Sequence, residues 1–573
     1  MYKKNHSHFR IPLTSHVDEL PEKLQKGIKE AWSGTFYKEF FCRIDETPFA
    51  VLYADCPSRP NIPVNVLVSL EFLKAGHGWT DEQMYEQYCY NVQVRYAVGY
   101  RQLGEGHFDL RTLYNFRERL SRFMQETGIN LLDQAFAQIT DEQIEAFQIK
   151  TGQQRMDSTQ IASNIRQMGR IQLLVTVIQR VQRMLSEKDR AQYAEALAPF
   201  VQGHAGQYVY RMKREETGGH LQKIGELMYQ LLIELKPEYG EEPVYQVMER
   251  VFHEHFRIDA DAIHSKPNNQ LSASSLQSPD DLEATYRNKR GQGYRGYTAN
   301  ITETCDPDNE LQLITNVQVA PNNVDDTQLL AEALPELKER TDLDTLYTDG
   351  GYGSPEMDDT LAEKQVEQIQ TAIRGRKPGA EKLHLSDFEI KQTEEGKPTQ
   401  ITCPQGQNVA VHPGNRKNSY GAHFELAACQ TCPLAAACPA KPGHRDPRWH
   451  LRFTQAQANV AQRRKRNQTH LEEGRNLRAA VEATVRQVKH PFPAGKLPVR
   501  GQFRVTCMVI GSAIMSNIRR IQRYEAMKET QNNEKRTEMK GKGTQAYPFL
   551  PSFLNVVHYF LDTFAFDNRV FGF

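Results

Sequence analysis

The chain has no excess charge of either sign. Its 573 residues carry 71 Lys and Arg against 71 Asp and Glu, for a formal charge of zero. That excludes a uniformly basic coat for nucleic acid and an acidic disordered chain, so any polyanion site must be local. Long hydrophobic runs are also missing. Only 39% of residues are hydrophobic, and no stretch reaches the roughly 18 apolar residues that a membrane-spanning helix needs. Cysteine is sparse: nine residues in so long a chain do not make a disulfide scaffold, and the odd number points to free thiols or a metal site. The opening Met1-Tyr2-Lys3-Lys4-Asn5-His6-Ser7-His8 holds two lysines with no apolar segment behind them. No secretory signal is therefore expected, and the compartment reads as cytoplasmic. At about 100–200 residues per domain, the length allows roughly three to five folding units.

The zero total hides an uneven distribution. Residues 321–370 hold 13 acidic and 3 basic side chains, whereas residues 461–530 hold 15 basic and 5 acidic ones. A metal-dependent enzyme acting on a polyanion would need such a pairing, and ordinary solvated helices give the same counts.

Local signals divide the chain. Thr80-Asp81-Glu82-Gln83 is a capping box, and Asp109 is a cap for a helix over Leu110–Leu120. The helices of residues 60–125 form either a helix-turn-helix, with Arg111, Arg117 and Arg119 available for phosphates, or a plain bundle. Residues 166–255 are periodic at helical spacing and predict an insert of three or four helices. A hairpin follows, with strands from Gly296 and from Leu311 around the turn Cys305-Asp-Pro-Asp-Asn. A helix over Asp326–Arg340, a strand over Asp344–Thr348, a helix after Ser354 and a strand near Gln368 then alternate, which is α/β organisation.

Three acidic positions stand out. Asp157, in Arg155-Met156-Asp157-Ser158-Thr159, falls on a short strand. Asp349 ends an apolar strand where a Gly-rich turn opens a helix; it is either an Asp-Gly turn or a carboxylate facing the ligand crevice of an open sheet. Glu482 lies in a basic helix with Arg475, Arg478, Arg486 and Lys489 at spacings of three or four, which is either an ion-pair ladder or a carboxylate set among cations.

Together these residues resemble the bacterial insertion-sequence transposases of the Asp-Asp-Glu (DDE) type, whose third carboxylate sits in Tyr-x2-Arg-x3-Glu-x6-Lys. Arg478, Glu482 and Lys489 match that signature, and Arg475 stands at the Tyr position. The N-terminal helices and Asp349-Gly-Gly-Tyr-x-Ser resemble the same family. The resemblance implies an α/β RNase H-like catalytic core, a mixed sheet flanked by helices, with an all-α N-terminal domain, an all-α insertion and a small zinc-ribbon-like insertion. It implies Asp157, Asp349 and Glu482 as catalytic ligands of two Mg²⁺ (or Mn²⁺) ions, with Arg478, Lys489, Arg475 and Arg486 on DNA. The activity implied is endonucleolytic cleavage at the ends of a mobile genetic element and joining of the 3′-ends to target DNA. The partners implied are double-stranded DNA and a second copy of the chain in a homodimeric synaptic complex, in a nucleoid-associated protein. The alternative is a zinc-bearing DNA-binding protein, or a domesticated nuclease or regulator, without strand transfer.

Cys403, Cys429, Cys432 and Cys438 gather four of the nine thiols into 36 residues and predict a structural Zn²⁺ site. Weaker basic features are Arg463-Arg464-Lys465-Arg466 and the run Arg287, Lys289, Arg290 and Arg295 with interleaved tyrosines. The expected domains are 1–150, a helical DNA-binding unit; 151–165 with 280–378 and 465–525, the catalytic core; 166–255, the helical insertion; 379–464, the cysteine-rich insertion; and 526–573, a polar linker and a helical tail with a Phe553, Val556, Val557, Phe560, Phe564 stripe.

Overall fold

The computed structural model describes residues 1–10, 15–54, 59–259, 262–289, 291–370, 381–393, 396–443, 446–472 and 477–541. Arg475, Arg290, Cys56 and the 553–564 stripe lie outside them. The chain forms two units, Met1–Gln522 and Arg523–Phe573.

The N-terminal region is helical: α1 (Glu22–Glu30), α2 (Trp32–Glu39), α3 (Val64–His77), α4 (Asp81–Tyr90), α5 (Val92–Ala97), α6 (Leu110–Thr127) and α7 (Leu131–Ala146). The Thr80 capping box forms with both of its hydrogen bonds, and the Asp109 side chain accepts from the Arg111 N–H at the head of α6. Arg117 is not available for phosphates. Its guanidinium donates to Glu71 at 2.6 Å and to Asp81 at 2.6 and 2.8 Å, because α6 packs its inner face over α3 and the start of α4.

The central sheet begins with β1 (Gln153–Ile161). An insertion then follows: α8 (Arg170–Met184), α9 (Glu187–Gln192), α10 (Ala194–Val201), α11 (Ala205–Arg211), α12 (Thr217–Tyr239) and α13 (Pro243–His255), with the hairpin β2 (Phe256–Asp259) and β3 (Ala262–Ser265). These described helices outnumber the three or four expected. Three short ones, α9 to α11, separate the long α8 and α12, and they are too brief to show a periodicity of their own. The insertion has its own core, built around Leu174, Ile178, Val181, Ile224, Met228, Leu231 and Phe252.

The sheet resumes with β4 (Thr285–Lys289), β5 (Gln292–Thr304) and β6 (Ile314–Pro321), then α14 (Asp326–Arg340), β7 (Thr345–Thr348), α15 (Pro355–Glu363) and β8 (Glu367–Gln370). Its order is β6-β5-β1-β7-β8, with β4 paired to the first part of β5. β5 runs antiparallel to both β1 and β6, whereas β1, β7 and β8 run parallel. The parallel half is connected by helical crossovers, as parallel strands require.

Each face of the sheet is covered. Met156, Leu346 and Tyr352 pack against α14 and α15 through Leu330, Leu334, Leu337, Met357 and Leu361. On the other face, Ile301, Val317 and Tyr297 share one hydrophobic cluster with α18 (Ala479–Lys489), α19 (Gln502–Gly541) and the N-terminal helices. Helices α3 and α19 touch closely: a Cβ placed on Gly511 would stand 2.7 Å from Ala75 Cβ, and one on Gly76 would meet the Met515 side chain.

A second sheet lies between β8 and α18. Its strands are β9 (Glu389–Gln392), β10 (Pro398–Thr402), β11 (Asn408–Pro413), β12 (Ser419–Phe424), β13 (Lys441–Pro442) and β14 (Trp449–Thr454), with α16 (Leu426–Gln430) after β12. All of its pairings are antiparallel, in the order β13-β14-β12-β11-β10-β9. Helix α17 (Gln455–Glu472) returns the chain to the central sheet. Arg463 on α17 is buried, pairing with Asp358 at 3.0 Å and donating to Gln370, so it is not part of an open basic cluster. The polar stretch 527–541, expected as a linker, continues α19. It is rich in Glu, Lys, Gln, Arg and Met, all good helix formers, with no glycine before Gly541. No helix of the described residues is long and apolar enough to cross a membrane.

Candidate active site

Strand β1 carries Asp157, and the end of its parallel neighbour β7 leads directly into Asp349. In the β1–β7 pairing Gln153 faces Thr345, Gln154 faces Leu346 and Arg155 faces Tyr347. Asp157 lies two residues past Arg155 on β1, and Asp349 two residues past Tyr347, directly after the end of β7, where its backbone is still extended. Burial raises the Asp157 carboxyl above its usual range; Arg478 opposes the rise and the Asp349 charge adds to it.

Asp349 also shapes its own turn. Its Oδ1 accepts from the Gly351 N–H at 2.6 Å, and Ser354 then caps α15 by accepting from Met357 N–H at 3.1 Å. Tyr352 is fully buried beneath the turn and donates to Asn300 Oδ1 at 2.7 Å. Burial holds its phenol well above the usual range, and the charges of Asp326, Asp157 and Asp349 add to the effect. Asp326, the first residue of α14, accepts from the Ser158 hydroxyl at 2.9 Å. Sequence reasoning missed this nearby carboxylate because it reads as an ordinary first-turn acid.

Helix α18 brings the third carboxylate. It follows the face of β1 that carries Arg155, Asp157 and Thr159, alternate residues of one strand. Arg155 donates to the Leu477 carbonyl at 2.7 Å, Arg478 stands 3.4 Å from Asp157, and Lys489 Nζ donates to Thr159 Oγ1 at 3.2 Å and to the Gln160 carbonyl at 3.0 Å. Burial lowers the Lys489 ammonium below its usual range. Lys489 therefore ties helix to strand. Arg478 Nη1 is also 3.9 Å from Glu482 Oε1, and the Glu482 side chain remains 55% exposed. Arg486 is exposed.

The seat of α18 is a buried ionic hub that sequence reasoning did not identify. Glu303 on β5 is fully buried. It accepts from Arg155 Nε at 2.6 Å, Thr484 Oγ1 at 2.7 Å and Arg520 Nη1 at 2.7 Å. One carboxylate thus joins β1, β5, α18 and α19, and Thr484 lies two residues beyond Glu482. The available signal was an acidic residue at an inward position of the hairpin strand, directly opposite Arg155.

The Asp349 charge acts on Asp157, and Arg478 reaches both Asp157 and Glu482, but among the described residues the three acids do not bring their ligand atoms together within 4.8 Å. Carboxylate oxygens are the hard donors that suit a divalent cation. Residues 402–522 match the family model "Transposase DDE domain", and residues 28–119 match "Transposase domain (DUF772)". Together these matches support a DDE transposase. Domains of this kind suggest metal-dependent nuclease or transposase activity and imply a DNA substrate. No curated protein and no solved structure matches the chain. The DDE-domain match includes Arg478, Glu482, Lys489 and the four clustered cysteines, and it leaves Asp157 and Asp349 outside, so those two rest on the geometry.

The four cysteines are free, half-buried thiols. Burial raises Cys429 and Cys438 above the usual thiol range, and both feel the charges of Cys403 and Cys432, which puts the four in one neighbourhood. Cys42, Cys89, Cys305 and Cys507 are also free thiols, and burial pushes Cys305 up to about 12.

Proposed function

We propose that the chain is a DNA transposase of the insertion-sequence type, with Asp157, Asp349 and Glu482 as its catalytic carboxylates on an RNase H-like core. The observation that carries this reading is the placement of Asp157 on β1 and of Asp349 just past the end of the parallel neighbour β7, near enough for the Asp349 charge to act on Asp157, with the Arg478–Glu482 helix held against β1. The β6-β5-β1-β7-β8 order, with an antiparallel first half and a parallel second half, supports the RNase H-like reading.

Asp157, Asp349 and Glu482 would hold the divalent ions, Mg²⁺ or Mn²⁺. Such ions supply a polarised nucleophile and stabilise the leaving oxygen in phosphodiester hydrolysis and strand transfer. The chain's own residues set the geometry. The Glu303 hub fixes the position of α18, Lys489 fastens its far end to β1, and Asn300 with Tyr352 props the Asp349 turn from below. Arg478 neutralises Asp157 in the ion-free state and is placed to receive a DNA phosphate by a bidentate fork when released. Exposed Arg486, Arg111 and Arg119 add positive charge for the DNA backbone. We assign a structural zinc ion to Cys403, Cys429, Cys432 and Cys438, and a synaptic homodimer as the working assembly.

Incubating the purified protein with Mg²⁺ and DNA carrying the sequences that flank its coding region, plus a target plasmid, tests the reading. Joined products in which 3′-ends are covalently linked to the plasmid support it. Cleavage without joining supports a nuclease, and binding without either supports a regulator.

A further inference from the structure

The cysteine-bearing insertion holds a second set of ligand-type side chains. Among the described residues, the His, Cys, Asp and Glu ligand atoms that meet three together within 4.8 Å belong to His423, Asp446 and His450, and not to the cysteines. We propose that these three residues form a separate site for a divalent transition-metal ion of the zinc class, which clamps the β13–β14 turn onto the sheet.

The strand register builds the site. His423 on β12 and His450 on β14 are direct cross-strand partners, with ring centroids 4.5 Å apart. Asp446, in the turn before β14, closes the third side with Oδ2 3.7 Å from His450 Nε2. Donors that share a tetrahedral ion at about 2.0–2.2 Å stand roughly 3.4 Å apart, so a small adjustment brings this pair into range. His423 Nδ1 is buried and makes no hydrogen bond, a cost that a bound ion would remove. All three residues are half-buried, unlike the exposed acids that commonly gather without an ion.

The surroundings suit a ligand set. Arg448 grips Asp446 through both oxygens, with Nε at 2.9 and 3.0 Å and Nη2 at 2.6 Å, and so holds the carboxylate ionised and oriented, as outer partners of metal ligands do. Two imidazoles and one carboxylate favour zinc-class ions over Mg²⁺. Three protein ligands leave a fourth position for water. The inference stands independently of the transposase reading.

Cobalt(II) titration of the chelator-stripped full chain, followed by optical absorption, separates this site from the cysteines, since only thiolate ligation gives sulfur-to-cobalt charge-transfer bands. In wild type the four cysteines give those bands, and a further saturable d–d component that grows without any increase in them is expected. It should persist in Cys432→Ser and disappear in His423→Gln and His450→Gln. Asp446→Asn, a change of one atom in the turn before β14, should weaken it at least about tenfold. The inference is overturned if wild type shows no such component, or if Asp446→Asn and both histidine variants titrate as wild type does.

Discussion

The Arg478 guanidinium stands 3.4 Å from Asp157 and reaches Glu482 from the other side at 3.9 Å. It therefore lies against two of the three carboxylates proposed to hold divalent ions. Arg478→Ala is expected to lower the Mg²⁺ concentration needed for half-maximal binding, because a competing cation is gone. The same variant should bind DNA more weakly, with the salt slope reduced by about one. Fluorescence anisotropy on labelled DNA across a salt series, beside an Mg²⁺ titration, measures both.

Asp157 makes the metal-free protein sensitive to pH. Its carboxyl is raised by burial, with Arg478 opposing and Asp349 adding, so the folded state holds this proton more tightly than the unfolded chain. Ionising it therefore costs stability. The cost is absent below the unfolded carboxylate range, grows as pH rises through the window up to the raised value, and is complete above it. Asp157→Asn is expected to melt higher than wild type at neutral pH without metal, and the gap should close in acid. Saturating Mg²⁺ should reverse the order, since it stabilises wild type by about 2.7 kcal/mol at 100 times the dissociation constant. Thermal melts at several pH values, with and without Mg²⁺, decide this.

Glu303 holds Arg155, Thr484 and Arg520 together in the core. Glu303→Gln leaves buried arginines short of a counter-charge and is expected to cost about 3–5 kcal/mol in denaturant unfolding. Thr484→Val is milder. It should keep the fold, by circular dichroism, while lowering cleavage by about 10²-fold through displacement of Glu482. Unchanged cleavage in Thr484→Val would show that the hub does not position the helix.

The contact of α3 with α19 joins the N-terminal helices to the core through Gly76 and Gly511. A Gly511→Val side chain would press on Ala75 and Phe72 and is expected to cost about 1–3 kcal/mol. The cost appears as a lowered urea midpoint.

Much of the fold was legible because it rests on local signals. The capping residues Thr80, Asp109 and Ser354, the helix from Asp326 to Arg340 and the hairpin around Cys305 lie where side-chain chemistry and periodicity place them. What the sequence concealed depends on distant partners. Arg117, Arg463 and Lys489 read as free cations, yet each is committed to residues far away in the chain or on another element. Asp326, Glu303 and the His423–His450 pair became visible only once helix packing and strand register set them beside residues up to 217 positions away. The short helices α9 to α11 escaped because a helix of two turns carries too little pattern.

Cleavage of linear DNA bearing the flanking sequences, run in Mg²⁺ with wild type and with Asp157→Asn, Asp349→Asn and Glu482→Gln one at a time, tests the central claim most directly. Wild type should cut only when the divalent ion is present, and each variant should fold and bind the DNA but leave it intact. Full metal-dependent cutting by any one of the three would contradict the account.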